Sequence, residues 1–386
     1  KEINIKKNTI ELYCRDFELD SIQLNLENFQ KDYSNKSILI TGESGIGKTI
    51  LKKEILNRNN EKFKIFETAC FSMEKDFSYL PWMNIIKDTL AAGNIDLKEL
   101  KAIAARGGLL KALPCGGTYL VNETMCEDLR TTNREHASNL AALIGYEMGK
   151  ELGISCYVVD PVVVDELQPV ARLSGLKGYD RTSVWHALNQ KAVARKVAMM
   201  LGTQYKDMNC IVAHMGGGIT VAAHEKGRAI DVNNGLRGDG PFSPERSGGL
   251  PCDIMMKMVF DDGKSRKEME KSLAGQGGFV SYLNTNDTRE VEKMAQTDEY
   301  AELVYNAMAY QVSKEIASLG ATLYGKIDAV ILTGGMAHSK KLTSLIKERV
   351  SFMAPVYIFP GEEEMEALAA GVARVLDKEE EAIVYK

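Results

Sequence analysis

Residues 213–231 read AHMGGGITVAAHEKGRAID. Two apolar runs, NCIVAHM (209–215) and ITVAAHEKGRAIDV (219–232), flank Gly216, Gly217 and Gly218. A glycine turn between antiparallel strands lets backbone amides approach a phosphate closely. About 115 residues further on, residues 331–339 read ILTGGMAHS. This is a strand, the pair Gly334–Gly335 and then a helix, which offers close approach to a ribose or α-phosphate. Between the two lies GLRGDGPFSPERSGGLP (235–251), rich in glycine, proline and charge. A loop of that length in a compact domain is usually functional.

Working outward, further strands are expected at 101–106, 155–160, 328–334 and 354–359. Helices are expected at 136–152, 183–201, 298–325 and 363–376. Alternating strands and helices give an α/β body with some hairpin content. A lone glycine turn says little, because many hairpins have one. The strand–turn–strand and strand–Gly-Gly–helix taken together describe an ATP cleft of the actin, Hsp70 and sugar-kinase type.

The chain has 386 residues, 45% hydrophobic and 26% charged, with a net charge of −5. That balance is ordinary for a globular protein and gives no reason to expect nucleic acid or an anionic membrane as partner. No apolar run approaches the ~20 residues of a membrane span. The first residues, KEINIKKNTIELYC, lack the apolar core of a signal peptide. Seven cysteines without a C-x-x-C fit reduced thiols in the cytoplasm.

Composition changes near residue 90. Residues 1–90 hold one alanine, Ala69, and three glycines, all within GESGIGKT. The remainder holds more than thirty alanines and thirty glycines. Either a polar regulatory domain is joined to a catalytic body, or two unrelated coding segments have been fused. The seam, WMNIIKDTLAAGNIDLKELKAIAARGG, reads as helix running on into strand with no flexible linker. In the first segment FELDSIQLNL alternates and could be a strand pair. SILI and KFKIFETAC read as strands, and 49–60 and 80–90 as helices. ILITGESGIGKT (38–49) has the G-x-x-x-x-G-K-[ST] spacing of a phosphate loop. Amides around Gly42, Gly45 and Gly47 would cradle phosphates, Lys48 would pair with them, and the Thr49 hydroxyl would hold Mg2+. The segment resembles the start of a bacterial signal-transduction or AAA-like ATPase. No apolar run ending in Asp or Glu follows within residues 50–90 to complete the metal site. The loop is therefore either a phosphate site or a folded remnant.

From about residue 93, RGGLL, GGTYLVNETMCEDLR, EHASNL, DPVVVDEL, HALNQKAVAR, DGPFSPERSGGLP, NTNDTREVE, LTGGMAHSK and PGEEEMEALAAG resemble butyrate kinase, within the acetate kinase superfamily. The resemblance implies ATP + butyrate ⇌ ADP + butyryl phosphate, with ATP and Mg2+, in a homodimer of two-domain subunits. Butyrate or a branched short-chain carboxylate would be the acceptor. Matched by motif, Arg246 in PERSGG takes the place of the active-site arginine, and His186 in WHALNQ that of the histidine held against the transition state. His136 in EHASNL corresponds to a second active-site histidine. Asp160, ending CYVVD, corresponds to the acid that engages Mg2+ and the phosphoryl region, directly or indirectly. Arg106 lies near the substrate-side arginine. His214 and Gly216–Gly218 match the second phosphate motif, Gly334 and Gly335 the adenosine motif, and Asp287 and Arg289 positions near the nucleotide. The plain alternatives are a surface salt bridge for Arg246 and a hydrogen-bonded helix histidine for His186. His224 reads as an ordinary exposed histidine, and His338 receives no role.

Members of that superfamily begin with a hairpin carrying an Asn-Pro-Gly-Ser-Thr-like turn, the first phosphate motif. Residues 1–90 contain no such run. The expected fold is therefore a two-domain actin-like and acetate-kinase-like α/β fold whose first hairpin sheet is replaced by a phosphate-loop strand–loop–helix segment. Its expected divisions are 1–90, 91–152 as the rest of domain I, and 153–386 as domain II with the C-terminal helix returning to domain I. Three functions stay open: a carboxylate kinase, intact or impaired by loss of the first phosphate motif; a regulatory ATPase fused to a kinase-derived body; and a fusion product without catalysis.

Overall fold

The computed structural model describes residues 16–32, 48–59, 62, 79–132 and 137–386. The chain forms two compact units, Lys1–Ile95 and Asp96–Lys386.

In the first unit, helices run over Asp16–Asp32, Lys48–Asn59 and Leu80–Ala92. FELDSIQLNL is thus helix and not a strand pair. Leu19 and Ile22 are buried one turn apart, the spacing of a helix face. SILI and all of KFKIFETAC but Lys62 lie outside the described residues. The helix Lys48–Asn59 opens at the lysine of the phosphate-loop pattern. Pro81 sits in the first turn of the third helix, where its missing N–H costs nothing. That helix ends at Gly93, so the seam is not one continuous run into strand. A 3-10 turn, Leu97–Glu99, capped by Asp96, intervenes.

Among the described residues of the second unit are nine strands: β1 (Ala102–Ala105), β2 (Thr118–Leu120), β3 (Ser155–Val159), β4 (Asn209–Met215), β5 (Ile219–Glu225), β6 (Arg228–Val232), β7 (Ala329–Gly334), β8 (Val356–Pro360) and β9 (Ile383–Val384). They form a four-stranded sheet, β1-β3-β2-β9, and a five-stranded sheet, β6-β5-β4-β7-β8. β1 pairs with β3 in parallel, and its other edge carries no strand among the described residues. β3 belongs to the first sheet, between β1 and β2. The helix Glu364–Leu376 packs on β1, β3 and β2, and β9 closes beside β2.

The second sheet is covered on both faces. Ile211, Ala213 and Met215 of β4 and Ile219, Val221 and Ala223 of β5 share a core with the helix Glu299–Thr322. Cys210 and Val212 face the helix Ala187–Met200. The alternation is the two-residue period of a strand. It sends His214, Thr220 and His224 to the face beneath Ala187–Met200. Cys126, Cys156 and Cys210 are buried free thiols. Among the described residues, no helix is long and apolar enough to cross a membrane.

Candidate active site

Strand register assembles the site. His214 and Thr220 are cross-strand partners of β4 and β5, so their side chains sit side by side. His186 precedes the first turn of Ala187–Met200, and its Nδ1 lies 2.8 Å from Thr220 Oγ1. Its ring stacks on His214, centroids 3.8 Å apart and planes within 11°. His214 Nδ1 lies 2.7 Å from Asn189 Oδ1. His214 Nε2 is buried without a partner, 3.8 Å from Glu362 Oε1. Burial, and then the positive charge of Arg246, pushes the His214 pKa down to about 3. His186 is held well below the usual imidazole range by burial, His214, Arg246 and Arg106.

Arg246 donates from Nη1 to the Gly235 carbonyl at 2.7 Å. Loss of water lowers its pKa against the pull of Glu245. Its guanidinium lies where a Cβ on Gly218 would sit, 2.0 Å from Nη1, so only glycine admits it at that position. Gly216 faces His214 and Glu362, and Gly217 faces Glu245. Arg106, His186, Thr220 and Arg246 line one cavity of about 200 Å³. Its walls include Leu109, Val162, Val184, Trp185 and Leu236. Arg106 also pairs with Glu364 at 2.8 Å, at the first turn of Glu364–Leu376.

A second cavity, of about 890 Å³, is lined by Asp287, Arg289, Gly335 and His338 among others. Asp287 caps the helix Thr288–Met294, and its carboxylate pairs with Arg289 at 2.7 Å, which holds its pKa down at about 2. Gly334 has φ +89°, and a Cβ there would lie 2.4 Å from the Met215 carbonyl. The Gly334–Gly335 turn is therefore pressed against the strand that leads into Gly216–Gly218.

Other expected site residues lie apart or out of view. His136, Gly42, Gly45 and Gly47, and the side chains of Lys48 and Thr49, fall outside the described residues. Asp160 is buried with φ +39°, and it does not line the cavity of His186 and Arg246. Its Oδ1 accepts from Gly117 N–H at 2.7 Å, and its Oδ2 meets Arg195 Nη1 at 3.1 Å. Asp160 is thus held by the Gly117 amide and the Arg195 guanidinium, one contact to each carboxylate oxygen. No group of three or more metal-ligating side chains occurs among the described residues. Mg2+ on a nucleotide needs only one or two protein carboxylates. Glu362, half-exposed beside Gly216, is a second carboxylate placed to meet that requirement. His224 is fully buried and not exposed. Sequence reading missed Thr220, Asn189, Glu362 and Glu364. The polar positions 214, 220 and 224 on one otherwise apolar strand face, and the acidic run in PGEEEMEAL, were the available signals.

The profile of the Acetokinase family matches residues 177–374, more than half of the chain. The chain belongs to the acetokinase family. A profile for an AAA ATPase domain matches residues 11–193, overlapping the first over residues 177–193. Three solved structures share the acetokinase body's fold. A propionate kinase from Francisella tularensis is 21% identical, with 76% of this chain and 84% of that one aligned at a TM-score of 0.64. Acetate kinase from Porphyromonas gingivalis is 18% identical, with coverage of 71% and 77% and a TM-score of 0.61. Acetate kinase from Entamoeba histolytica is 15% identical, with coverage of 75% and 85% and a TM-score of 0.62. The α/β body with its mixed sheets thus has the acetate and propionate kinase fold.

Proposed function

We propose that the second unit transfers the γ-phosphoryl group of ATP to a short-chain carboxylate, butyrate or a branched analogue, giving an acyl phosphate. The single observation that supports this most is the convergence of Arg246, His186 and Arg106 on one small cavity with an apolar wall. Two cations and an imidazole suit a carboxylate and a phosphoryl group, and Leu109, Val162, Val184, Trp185 and Leu236 suit an acyl chain longer than acetate. A carboxylate oxygen attacks the γ-phosphorus, the bond to the β-phosphate oxygen breaks, and ADP leaves with the electron pair. No proton is consumed. Arg246, partly desolvated, balances the charge spread over the equatorial oxygens. The Gly216–Gly218 turn carries amides toward the phosphates, and the cavity beside Gly335 takes the adenosine. Bound Mg2+ would neutralise phosphate charge, with Glu362 as its protein carboxylate. The family's first phosphate turn has no counterpart in the sequence, so a low rate is expected. A homodimer is part of this reading.

The test is acyl phosphate formation from ATP, Mg2+ and butyrate, with acetate as the comparison acid, by the natural chain and by Arg246→Ala. Activity with butyrate that is lost in Arg246→Ala supports the reading. A folded natural chain with no activity toward any short-chain acid overturns it. A second reading rests on the helix that opens at Lys48 within GESGIGKT: the first unit binds nucleotide as a regulatory ATPase. It requires nucleotide binding that Lys48→Ala abolishes and Arg246→Ala leaves intact.

A further inference from the structure

Beneath His186 lies a chain of buried polar groups that the reaction above does not use. Tyr205 Oη is 2.7 Å from His224 Nδ1. His224 Nε2 is 3.1 Å from Gln190 Oε1. Gln190 Nε2 is 3.0 Å from the Thr220 carbonyl and 2.8 Å from Thr220 Oγ1. Thr220 Oγ1 is 2.8 Å from His186 Nδ1. Gln190, Thr220 and His224 are completely buried.

Each link has one allowed direction. A carbonyl only accepts, so the Thr220 carbonyl fixes Gln190 with its amide nitrogen toward β5. Gln190 Oε1 then faces His224 and accepts, so His224 carries its hydrogen on Nε2. Burial keeps His224 neutral, which leaves Nδ1 to accept from Tyr205. The second Gln190 hydrogen goes to Thr220 Oγ1. The His186 backbone N–H also points at Thr220 Oγ1, at 3.5 Å, so both lone pairs of that oxygen are taken; the Thr220 hydroxyl then donates its own hydrogen to His186 Nδ1, and the His186 ring hydrogen sits on Nε2. The neighbouring imidazole is fixed the other way. Asn189 Nδ2 donates to the Glu362 carbonyl at 2.7 Å, so its Oδ1 accepts from His214 Nδ1–H. His214 Nε2 keeps a lone pair.

We propose that Tyr205, His224, Gln190 and Thr220 are positioning residues, a one-way hydrogen-bond relay that holds His186 as the Nε2–H tautomer while Asn189 holds the stacked His214 as the Nδ1–H tautomer. The stacked pair then offers one neutral donor and one neutral acceptor from adjacent rings. A fixed neutral donor needs no reorganisation when charge develops on a transferred group. The link to catalysis rests on the carboxylate-kinase reading. The tautomers themselves do not.

The experiment is nitrogen-15 NMR of the full chain labelled at its five histidines, each ring assigned by a single histidine variant. Near neutral pH, His186 should show a protonated Nε2 and a bare Nδ1, and His214 the reverse. Thr220→Val keeps the shape but removes the hydroxyl, and should turn His186 into a tautomer mixture. Thr220→Ser should restore the single form. In the carboxylate kinase assay, Thr220→Val should lower kcat about tenfold with the nucleotide KM little changed, and Thr220→Ser should recover most of it. A His186 ring that carries its hydrogen on Nδ1, or is charged, in the natural chain overturns the proposal without any variant. So does an unaltered His186 tautomer in Thr220→Val. If the natural chain has no kinase activity, the spectra still decide the relay and only its catalytic use falls.

Discussion

Acidification from about pH 7.5 to about pH 5.5 should weaken the unit Asp96–Lys386 through its buried histidines. His214 and His224 are 1% and 0% exposed and are both held neutral, first by burial. An unfolded histidine titrates near ~6.5. Below that pH the unfolded chain binds a proton at each site and the folded chain does not, so stability falls as pH drops. The loss continues down to the folded pKa, about 3 for His214. Over the stated interval each site costs about 1.4 kcal/mol, and the pair about 3 kcal/mol. His186, held well below the usual imidazole range first by burial and then by His214, adds in the same direction. Glu315 acts oppositely. Burial and then Asp239 and Asp231 raise its pKa to about 7, so it takes up a proton in the folded state first and offsets part of the loss. The clean test is urea unfolding in a Trp82→Phe, Glu315→Gln background. Trp185 is then the only tryptophan; it is buried and lies edge-on to His224 at 5.7 Å. A further His224→Gln change should shrink the pH-dependent loss by about 1.4 kcal/mol. A loss below ~1 kcal/mol between the two pH values would refute the argument, because it would mean that the imidazoles accept protons within the folded state.

Gly218→Ala should displace the Arg246 guanidinium and raise the carboxylate KM on the order of tenfold with little change in melting temperature, read by initial rates and a thermal melt. Gly334→Ala puts a Cβ 2.4 Å from the Met215 carbonyl at φ +89°. It should cost more than ~1 kcal/mol in urea unfolding, and a neutral result would show that β4 and β7 can move apart. Glu362→Gln should raise the Mg2+ concentration needed for half-maximal rate by roughly tenfold or more, with the ATP KM at saturating metal nearly unchanged. Arg195→Leu leaves the Asp160 carboxylate buried without its cation. It should destabilise the unit by about 3 kcal/mol, measured by urea unfolding, and a variant as stable as the natural chain would show that Asp160 finds another partner.

Local patterns determined much of this protein by themselves. The apolar runs at 209–215 and 219–232 around three glycines specify a hairpin, because two strand-forming runs joined by so short a turn can only pair antiparallel. The helices 187–200, 299–322 and 364–376 follow from their own apolar periodicity. The segment FELDSIQLNL did not yield, because Ile22, Leu24 and Leu26 alternate while Leu19, Ile22 and Leu26 recur at three- and four-residue spacing over the same short run. Tertiary structure decided what no spacing could carry. Asp160 becomes the buried partner of Arg195 because a helix 35 positions later lies over the end of β3. His224 is buried because the helix Ala187–Met200 covers the polar positions 214, 220 and 224 of the second sheet. Glu362 reaches the glycine turn because β8 and β7 run in parallel and their ends bond through Gly361 and Gly334. Periodicity reports which way one element faces. Which polar group meets which depends on how two elements are laid together, and that is settled by packing between residues far apart in the chain.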